Sequence, residues 1–383
     1  MCYINIRKSR KKIFQKEGDI VLNKALKVLQ ILEENGHESY VVGGYVRDKL
    51  LGIESNDIDI CTSATPKEIK EIFKSSSSPN YGSVNITYKN TNFDITTFRH
   101  ETKYLNNRIP IKLKYIKNVK KDLLRRDFTI NTLCIDSQGE ILDMLNIKED
   151  LDNKIIKTVG NPKFKLKEDA LRILRAIRFA TILDFNIEDK TKQYISSYAP
   201  LLKKISYEKK RQELDKIFSN KNNKKGIELL TKLGIDKNLS LTNLKKINPC
   251  PDLIGIWTQL NVDDIYPFSR NEKDQMKKIR ELLKKDIKTK YNIYKYGLYI
   301  STVAHQIKKE EITNLNAIYK KLPIHNRKDI DLNPAEIPII LNKEPGNYIK
   351  EIMEALEKAI INKEISNDYQ KIKEYIITNY SEN

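Results

Sequence analysis

Two short runs in the first quarter of the chain combine residue types suited to handling phosphates. Val41-Val42-Gly43-Gly44-Tyr45-Val46-Arg47-Asp48 reads as a strand feeding a Gly-Gly turn into a helix, and Asn56-Asp57-Ile58-Asp59-Ile60 follows it closely. Without Cβ atoms at Gly43 and Gly44 a ligand can approach the backbone, and the free N–H groups at a helix start favour an anion such as a triphosphate. Arg47, one turn into that helix, adds a charge-assisted contact. A lone Gly-Gly turn is usually only a turn. Asp57 and Asp59 distinguish this one, because residues two apart in a strand project to the same face and set two carboxylates side by side among apolar neighbours. A divalent cation relieves their repulsion, and Mg²⁺ is expected at an all-oxygen site that also takes phosphates. Asp94, in Phe93-Asp94-Ile95-Thr96-Thr97, lies on another alternating stretch and offers a third ligand, the plain alternative being a solvated strand face. Three carboxylates can hold two metals about 3.5 to 4 Å apart, an arrangement that activates a hydroxyl nucleophile and steadies a leaving pyrophosphate.

A second cluster falls in Glu168 to Leu183. Leu171, Leu174 and Ile177 recur at helical spacing, and Arg172, Arg175 and Arg178 recur every three residues as a basic stripe beside the apolar one. A solvated helix face is the ordinary reading of such a stripe. Base chemistry supplies the other. Cytosine and adenine both present an amino donor beside a ring-nitrogen acceptor, so one carboxylate and one guanidinium, here Asp169 and Arg172, can pair with either and reject uracil and guanine.

The elements that must position these groups change character along the chain. A helix near residues 20–35, a strand at 39–42, and apolar alternations at 57–61, 84–88, 93–97 and 132–135 predict a small mixed sheet with helices packed on it. Ser75 to Pro79 is a breaker within that region. After about Leu151 the strand signal fades and helical periodicity takes over, with breaks at Gly160-Asn161-Pro162, Asn248 to Pro251 and Lys343 to Gly346. The expected fold class is α+β, an N-terminal head with a mixed sheet followed by all-helical segments.

Composition sets the outer bounds. A chain of 383 residues divides into more than one core. Its 70 Lys and Arg against 51 Asp and Glu leave a net charge of +19, which suits a polyanionic partner but also follows from a Lys- and Asn-rich codon bias. Cys2, Cys61, Cys134 and Cys250 form no CxxC pair, which argues against a zinc site and a disulfide framework and for a reducing, cytoplasmic setting. No apolar run approaches the roughly 20 residues of a membrane span. The N-terminal MCYINIRKSRKKIF lacks the apolar core of a secretory signal, its basic residues being compatible with an organellar presequence. His37, His100, His305 and His325 are isolated.

Taken together, GGYVRD and NDIDI resemble the head signature of the nucleotidyltransferase branch that contains CCA-adding enzymes and bacterial poly(A) polymerases. Leu124-Arg125-Arg126-Asp127-Phe128-Thr129-Ile130-Asn131 resembles that family's RRDFT element, and Glu168-Asp169-Ala170-Leu171-Arg172 its EDxxR element. Arg175 and Arg178 match its further arginines, and Ser206-Tyr207-Glu208-Lys209 with Glu213 its SxER element, with Lys209 in place of the usual Arg. The resemblance is close from about residue 39 to 215. It implies a template-independent transferase that adds CCA to the 3′ end of tRNA from CTP and ATP. Asp57, Asp59 and Asp94 would be the catalytic and Mg²⁺-binding carboxylates. Gly43, Gly44, Arg47, Arg126, Asp169, Arg172, Arg175 and Arg178 would bind the nucleotide. Asp127 and Asn131 are expected to be structural, and Arg125 is left between the two roles. The resemblance further implies a catalytic head over 20–148, a neck over 149–218, a body over 219–330 and a tRNA-binding tail over 331–383; the sequence leaves the choice between monomer and homodimer open. Lys203-Lys204, Lys209-Lys210-Arg211, Lys224-Lys225, residues 277–290 and the Pro345-Gly346 turn are candidate phosphate contacts. The segment from Phe98 to Asp122 corresponds to the family's flexible loop, with Asn106-Asn107-Arg108-Ile109-Pro110 where DGRRP is usual and Tyr81-Gly82-Ser83 where His-Gly-Thr is frequent. Poly(A) polymerase, an A-adding partner of a split system, and a basic RNA-binding protein with an inactive head are the alternatives.

Overall fold

The computed structural model describes residues 19–311 and 313–381, apart from the side chains of Lys103 and Ile109. The basic N-terminal run, Cys2 included, lies outside the described residues. The chain divides into two compact units, the first ending at Leu239 and the second beginning at Ser240.

The first unit opens with α1 (Ile20–Glu34), started by Asp19, whose side chain accepts from the Leu22 N–H at 2.9 Å. Leu22, Ala25, Val28, Leu29 and Leu32 form its buried face, the three- and four-residue spacing of an amphipathic helix. β1 (Ser39–Val42) then runs into Gly43 and α2 (Gly44–Leu50). β2 (Asp59–Thr62) is followed by α3 (Pro66–Phe73), which Thr65 and Glu68 start with a capping box. β3 (Ser83–Tyr88) and β4 (Thr91–Thr97) form a tight hairpin.

β5 (Arg99–Leu105) and β6 (Ile109–Tyr115) pair with each other as a separate two-stranded sheet. The segment matched to a flexible loop thus contains a β-hairpin. Its tip, Asn106-Asn107, has φ of 51° and 53°, the left-handed pair that a two-residue hairpin turn requires and that asparagine tolerates well. α4 (Val119–Arg125), β7 (Cys134–Ile135) and β8 (Ile141–Leu142) complete the head. The main sheet has the order β3-β4-β2-β1-β7-β8, with β2 and β4 parallel and the other neighbours antiparallel.

α5 (Lys148–Asp152), β9 (Ile155–Ile156), α6 (Pro162–Glu168), α7 (Leu171–Ile182), β10 (Asn186–Ile187), α8 (Asp189–Tyr198), α9 (Tyr207–Phe218) and α10 (Asn223–Lys232) make up the rest of the first unit. Two expectations change here. β9 and β10 pair in parallel, so this region is not purely helical; with two residues each, they are too short to leave a periodic signal. The single helix expected over 168–183 is broken at Asp169, whose φ of −136° and ψ of 103° lie outside the helical region. The break persists because the Ala170 N–H donates to the Asn107 carbonyl at 2.8 Å instead of to a helical carbonyl.

In the second unit, α11 (Leu253–Leu260), α12 (Arg270–Leu283), α13 (Lys290–Lys308), α14 (Leu315–Lys320), α15 (Ile337–Leu341), α16 (Tyr348–Ile361) and α17 (Tyr369–Tyr380) are the α-helices of the described residues. Ile293, Met353, Leu356, Ile360, Ile372 and Ile376 belong to its buried core. α13 bends at Gly297, where φ is 78°. No described helix is long and apolar enough to cross a membrane.

Candidate active site

The head and the α6–α7 region enclose a cleft of about 1050 Å³. Gly43 and Gly44, just past the end of β1, line it. Gly43 has φ of 90° and ψ of −139°, a combination that only glycine adopts without strain, and a Cβ there would lie 3.4 Å from Asp59 Oδ2 and 3.7 Å from Arg126 Nη1. The glycine, a carboxylate and a guanidinium thus meet at one point. Arg126 Nε is buried without a hydrogen-bond partner among the described residues, while its Nη2 reaches Asp122 Oδ2 at 3.4 Å.

Asp57 and Asp59 both line this cleft, with Ile58 and Ile60 between and after them turned into the core. Asp57 precedes β2 rather than lying on it, but the alternation holds. Asp94 stands directly across from Asp59 on the parallel neighbour, again between two buried apolar residues, Phe93 and Ile95. Its carboxylate accepts from Asn85 Nδ2 at 3.0 Å and is not among the groups lining the cleft. Among the described residues no three His, Cys, Asp or Glu side chains are gathered closely enough to hold a metal ion. The donor chemistry nevertheless suits a hard cation: desolvation in the cleft raises the Asp59 pKa, and Asp57 and Asp94 raise it further against the opposing pull of Arg126.

The arginines are held by a scaffold of polar groups. Asp127 accepts from Arg175 Nε at 2.7 Å and from its Nη2, from Asn131 Nδ2 at 3.1 Å and from the Phe128 N–H at 2.8 Å. Burial alone would raise the Asp127 pKa, but Arg175 and these hydrogen bonds hold it well below the usual carboxylate range. Asn131 Oδ1 in turn accepts from Arg47 Nη1 at 2.7 Å, and Asp48 Oδ1 takes the same guanidinium's Nε at 2.8 Å. Arg178 pairs with Glu213 Oε2 at 2.8 Å. Phe179 collects all three cations, with Arg178, Arg47 and Arg175 at 4.3, 5.1 and 5.4 Å from its ring centre. Arg125 bonds Asp122 at 2.8 Å and Glu101 at 3.3 Å.

Asp169 and Arg172 line the same cleft as the glycine turn, Asp169 at the α6–α7 break and Arg172 in the first turn of α7. The Asp169 carboxylate accepts the Leu171 N–H at 3.0 Å and is ion-paired with Arg108 from the β5–β6 hairpin. Burial raises its pKa against the pull of Arg108 and Arg172. Arg172 donates to the Lys165 carbonyl at 2.8 Å, to Glu168 Oε2 at 2.9 Å and to the Arg125 carbonyl at 3.2 Å. The hairpin tip adds bonds from Asn107 Nδ2 to the Lys167 carbonyl at 2.6 Å and from Lys204 Nζ to Asn107 Oδ1 at 3.0 Å. Arg108, Phe179, Glu101 and Asp122 escaped sequence reasoning as site residues. The charge-reversed spacing of Asp122 before Arg125 and Arg126 was the one local hint.

A mixed sheet presenting carboxylates beside a glycine turn, faced by an arginine-rich helical region, defines a nucleotidyltransferase head. Residues 39–157 match the family profile of the poly A polymerase head domain, 184–240 that of an RNA- and SrmB-binding site of polymerase A, and 265–376 that of tRNA nucleotidyltransferase domain 2. The CCA-adding enzyme of Ligilactobacillus salivarius is 36% identical over 391 residues, covering 93% of this chain and 95% of that protein. That of Geobacillus sp. is 31% identical, covering 92% and 96%. The crystal structure of the Bacillus stearothermophilus CCA-adding enzyme in complex with CTP superposes with a TM-score of 0.82 at 26% identity, covering 94% of this chain and 97% of that one. The chain belongs to the CCA-adding enzyme family.

Proposed function

We propose that this chain completes the 3′ end of tRNA by adding C, C and A from CTP and ATP, without a nucleic-acid template, in the cytoplasm. The observation that carries the reading is the single cleft in which the Gly43, Asp59 and Arg126 junction shares walls with Asp169 and Arg172. The full-length likeness to CCA-adding enzymes supports it.

In this reading the triphosphate lies along the Gly43-Gly44 turn. Arg126, with its unsatisfied Nε, takes a phosphate oxygen there. Arg47, Arg175 and Arg178 supply positive potential, held in place by Asn131, Asp127 and Glu213 so that little reorganisation accompanies binding. Asp57 and Asp59 would hold Mg²⁺ from the cleft, with Asp94 opposite Asp59 on the neighbouring strand as the third carboxylate; when bound, the ion supplies Lewis acidity toward the attacking hydroxyl and the pyrophosphate. Asp169 accepts the exocyclic amino group of C or A, and Arg172 donates to the adjacent ring nitrogen. A uracil or guanine edge leaves both groups mispaired. Arg108 occupies the Asp169 carboxylate, so the incoming base must share it or displace it. The helical segments after the head, with their lysine clusters, carry tRNA affinity, the neck, body and tail being assigned to 149–218, 219–330 and 331–383.

The test uses tRNAs lacking CCA, or ending in its first or second cytidine, each with one labelled nucleotide. CMP added to the first two substrates and AMP to the third is the expected pattern. Addition of AMP alone, or of long A tracts, would replace this reading with an A-adding or poly(A)-forming one.

A further inference from the structure

Among the described residues four aromatic side chains line the cleft: Tyr45, Tyr81, Tyr104 and Phe179. Three are occupied. Tyr45 donates to Asp19 Oδ2 at 2.5 Å, Tyr104 to Glu101 Oε2 at 2.8 Å, and Phe179 is covered by the three arginines. Tyr81 is 53% exposed, and its ring and hydroxyl have no partner among the described residues.

Its backbone is the opposite case. Asn80-Tyr81-Gly82-Ser83 is a two-residue turn closed by Asn80 N–H to Ser83 carbonyl and Ser83 N–H to Asn80 carbonyl bonds, both 2.9 Å. Both central residues have positive φ, 48° at Tyr81 and 83° at Gly82. Such a turn calls for Asn, Asp or Gly at its first central position, and a bulky residue there is uncommon. The turn is gripped from outside. The Thr97 N–H donates to the Gly82 carbonyl at 2.9 Å, and Arg99 donates to the Tyr81 carbonyl. The ring of Tyr115, the cross-strand partner of Arg99, lies 2.9 Å from where a Gly82 Cβ would sit. A residue ill-suited to its backbone is thus locked in place with its ring free, and strain so maintained points to a use for that ring.

Position suggests the use. Ser83 pairs with Thr96, two residues beyond Asp94, so the turn lies about 7 to 13 Å along the sheet from the level of Asp59 and Asp94. Ser55, Asp57 and Asp59 line the same cleft as Tyr81. The incoming base is assigned to Asp169 and Arg172, so the RNA end must reach the carboxylates from another side. We infer that Tyr81 stacks the 3′-terminal base of the RNA and so sets its terminal hydroxyl beside the carboxylates, an assignment that rests on the nucleotidyl-transfer reading above. An aromatic face accepts any base, which suits a primer whose last nucleotide changes from the discriminator to C and to C again.

The probe is a tRNA lacking CCA whose 3′-terminal nucleotide is 2-aminopurine, the fluorescence of which is quenched by stacking. Wild type and Tyr81→Phe should quench it. Tyr81→Asn keeps a residue that tolerates the left-handed backbone but removes the ring, and should restore the fluorescence. In steady-state CMP addition the same variant should raise KM for RNA by roughly 5- to 150-fold at unchanged KM for CTP, the range that losing one base–aromatic stack implies. Quenching retained by Tyr81→Asn, no quenching by wild type, or equal losses toward RNA and CTP would each overturn the inference. CMP addition by wild type to unlabelled tRNA, run in parallel, reports on the parent reading separately: quenching without addition would sink that reading and leave the stack.

Discussion

Replacing Asp127 by Ala should destabilise the first unit by about 3 kcal/mol, and the structure says where the loss falls. Arg175 is a third exposed and can rehydrate, so its broken ion pair contributes little, on the order of 1 kcal/mol. Asn131 and Arg47 are only 6% and 7% exposed and cannot. The Asn131 amide would lose its acceptor and the Phe128 N–H its own, at roughly 1 to 3 kcal/mol for each buried group left unpaired. Allowing for partial relaxation, the sum is about 3 kcal/mol, which for a unit of this size lowers Tm by roughly 6 to 12 °C. Asp127→Asn keeps the shape and one acceptor oxygen and should lose about half as much. The pH dependence separates charge from shape. Because the folded Asp127 pKa is held below its unfolded value, its stabilisation is fully present above about pH 4 and is lost as pH falls below it toward the folded value. The acid limb of a Tm-versus-pH series followed by circular dichroism should therefore be shallower in Asp127→Asn than in wild type. A Tm within 1 °C of wild type in Asp127→Ala, with an unchanged acid limb, would refute the scaffold assigned to this residue.

Asp169→Ala should narrow the preference for CTP over UTP at the first position by roughly 5- to 150-fold, the equivalent of one unpaired buried group, while total turnover also falls; a slow mutant that stays as selective as wild type would move base choice elsewhere. Asp59→Ala should abolish both CMP and AMP addition in Mg²⁺ with tRNA affinity changed less than about threefold, since chemistry and affinity are assigned to different groups; substantial turnover would remove Asp59 from the metal site. Binding of tRNA should fall roughly five-hundredfold between 50 and 200 mM salt if about five phosphates of the duplex stem are contacted, and a flat response in an electrophoretic mobility assay would assign the +19 charge to composition alone.

Much of the head was legible in the sequence, for a physical reason: strand alternation and glycine conformations are properties of neighbouring residues. A period of two placed Asp57, Asp59 and Asp94 on exposed positions flanked by buried Ile58, Ile60, Phe93 and Ile95. The Gly43-Gly44 dipeptide marked the strand-to-helix turn whose φ of 90° excludes other residues. Helical spacing likewise put Arg172, Arg175 and Arg178 on one stretch of helix.

What those arginines touch was decided elsewhere in the chain. Arg175 finds Asp127 across 48 residues, Arg47 finds Asn131 across 84, and Arg108 finds Asp169 across 61. No periodicity records such pairs, because each depends on where the sheet and the helices bring distant segments together. The tertiary structure also overrode a local preference. Residues 168 to 183 have the pattern of one helix, yet a backbone bond to Asn107 at the hairpin tip breaks it at Asp169 and leaves that carboxylate facing the cleft. Local sequence determined which residues are exposed along each element. Only folding determined which of them meet, since a side chain's partner is set by the packing of whole elements rather than by its neighbours in the chain.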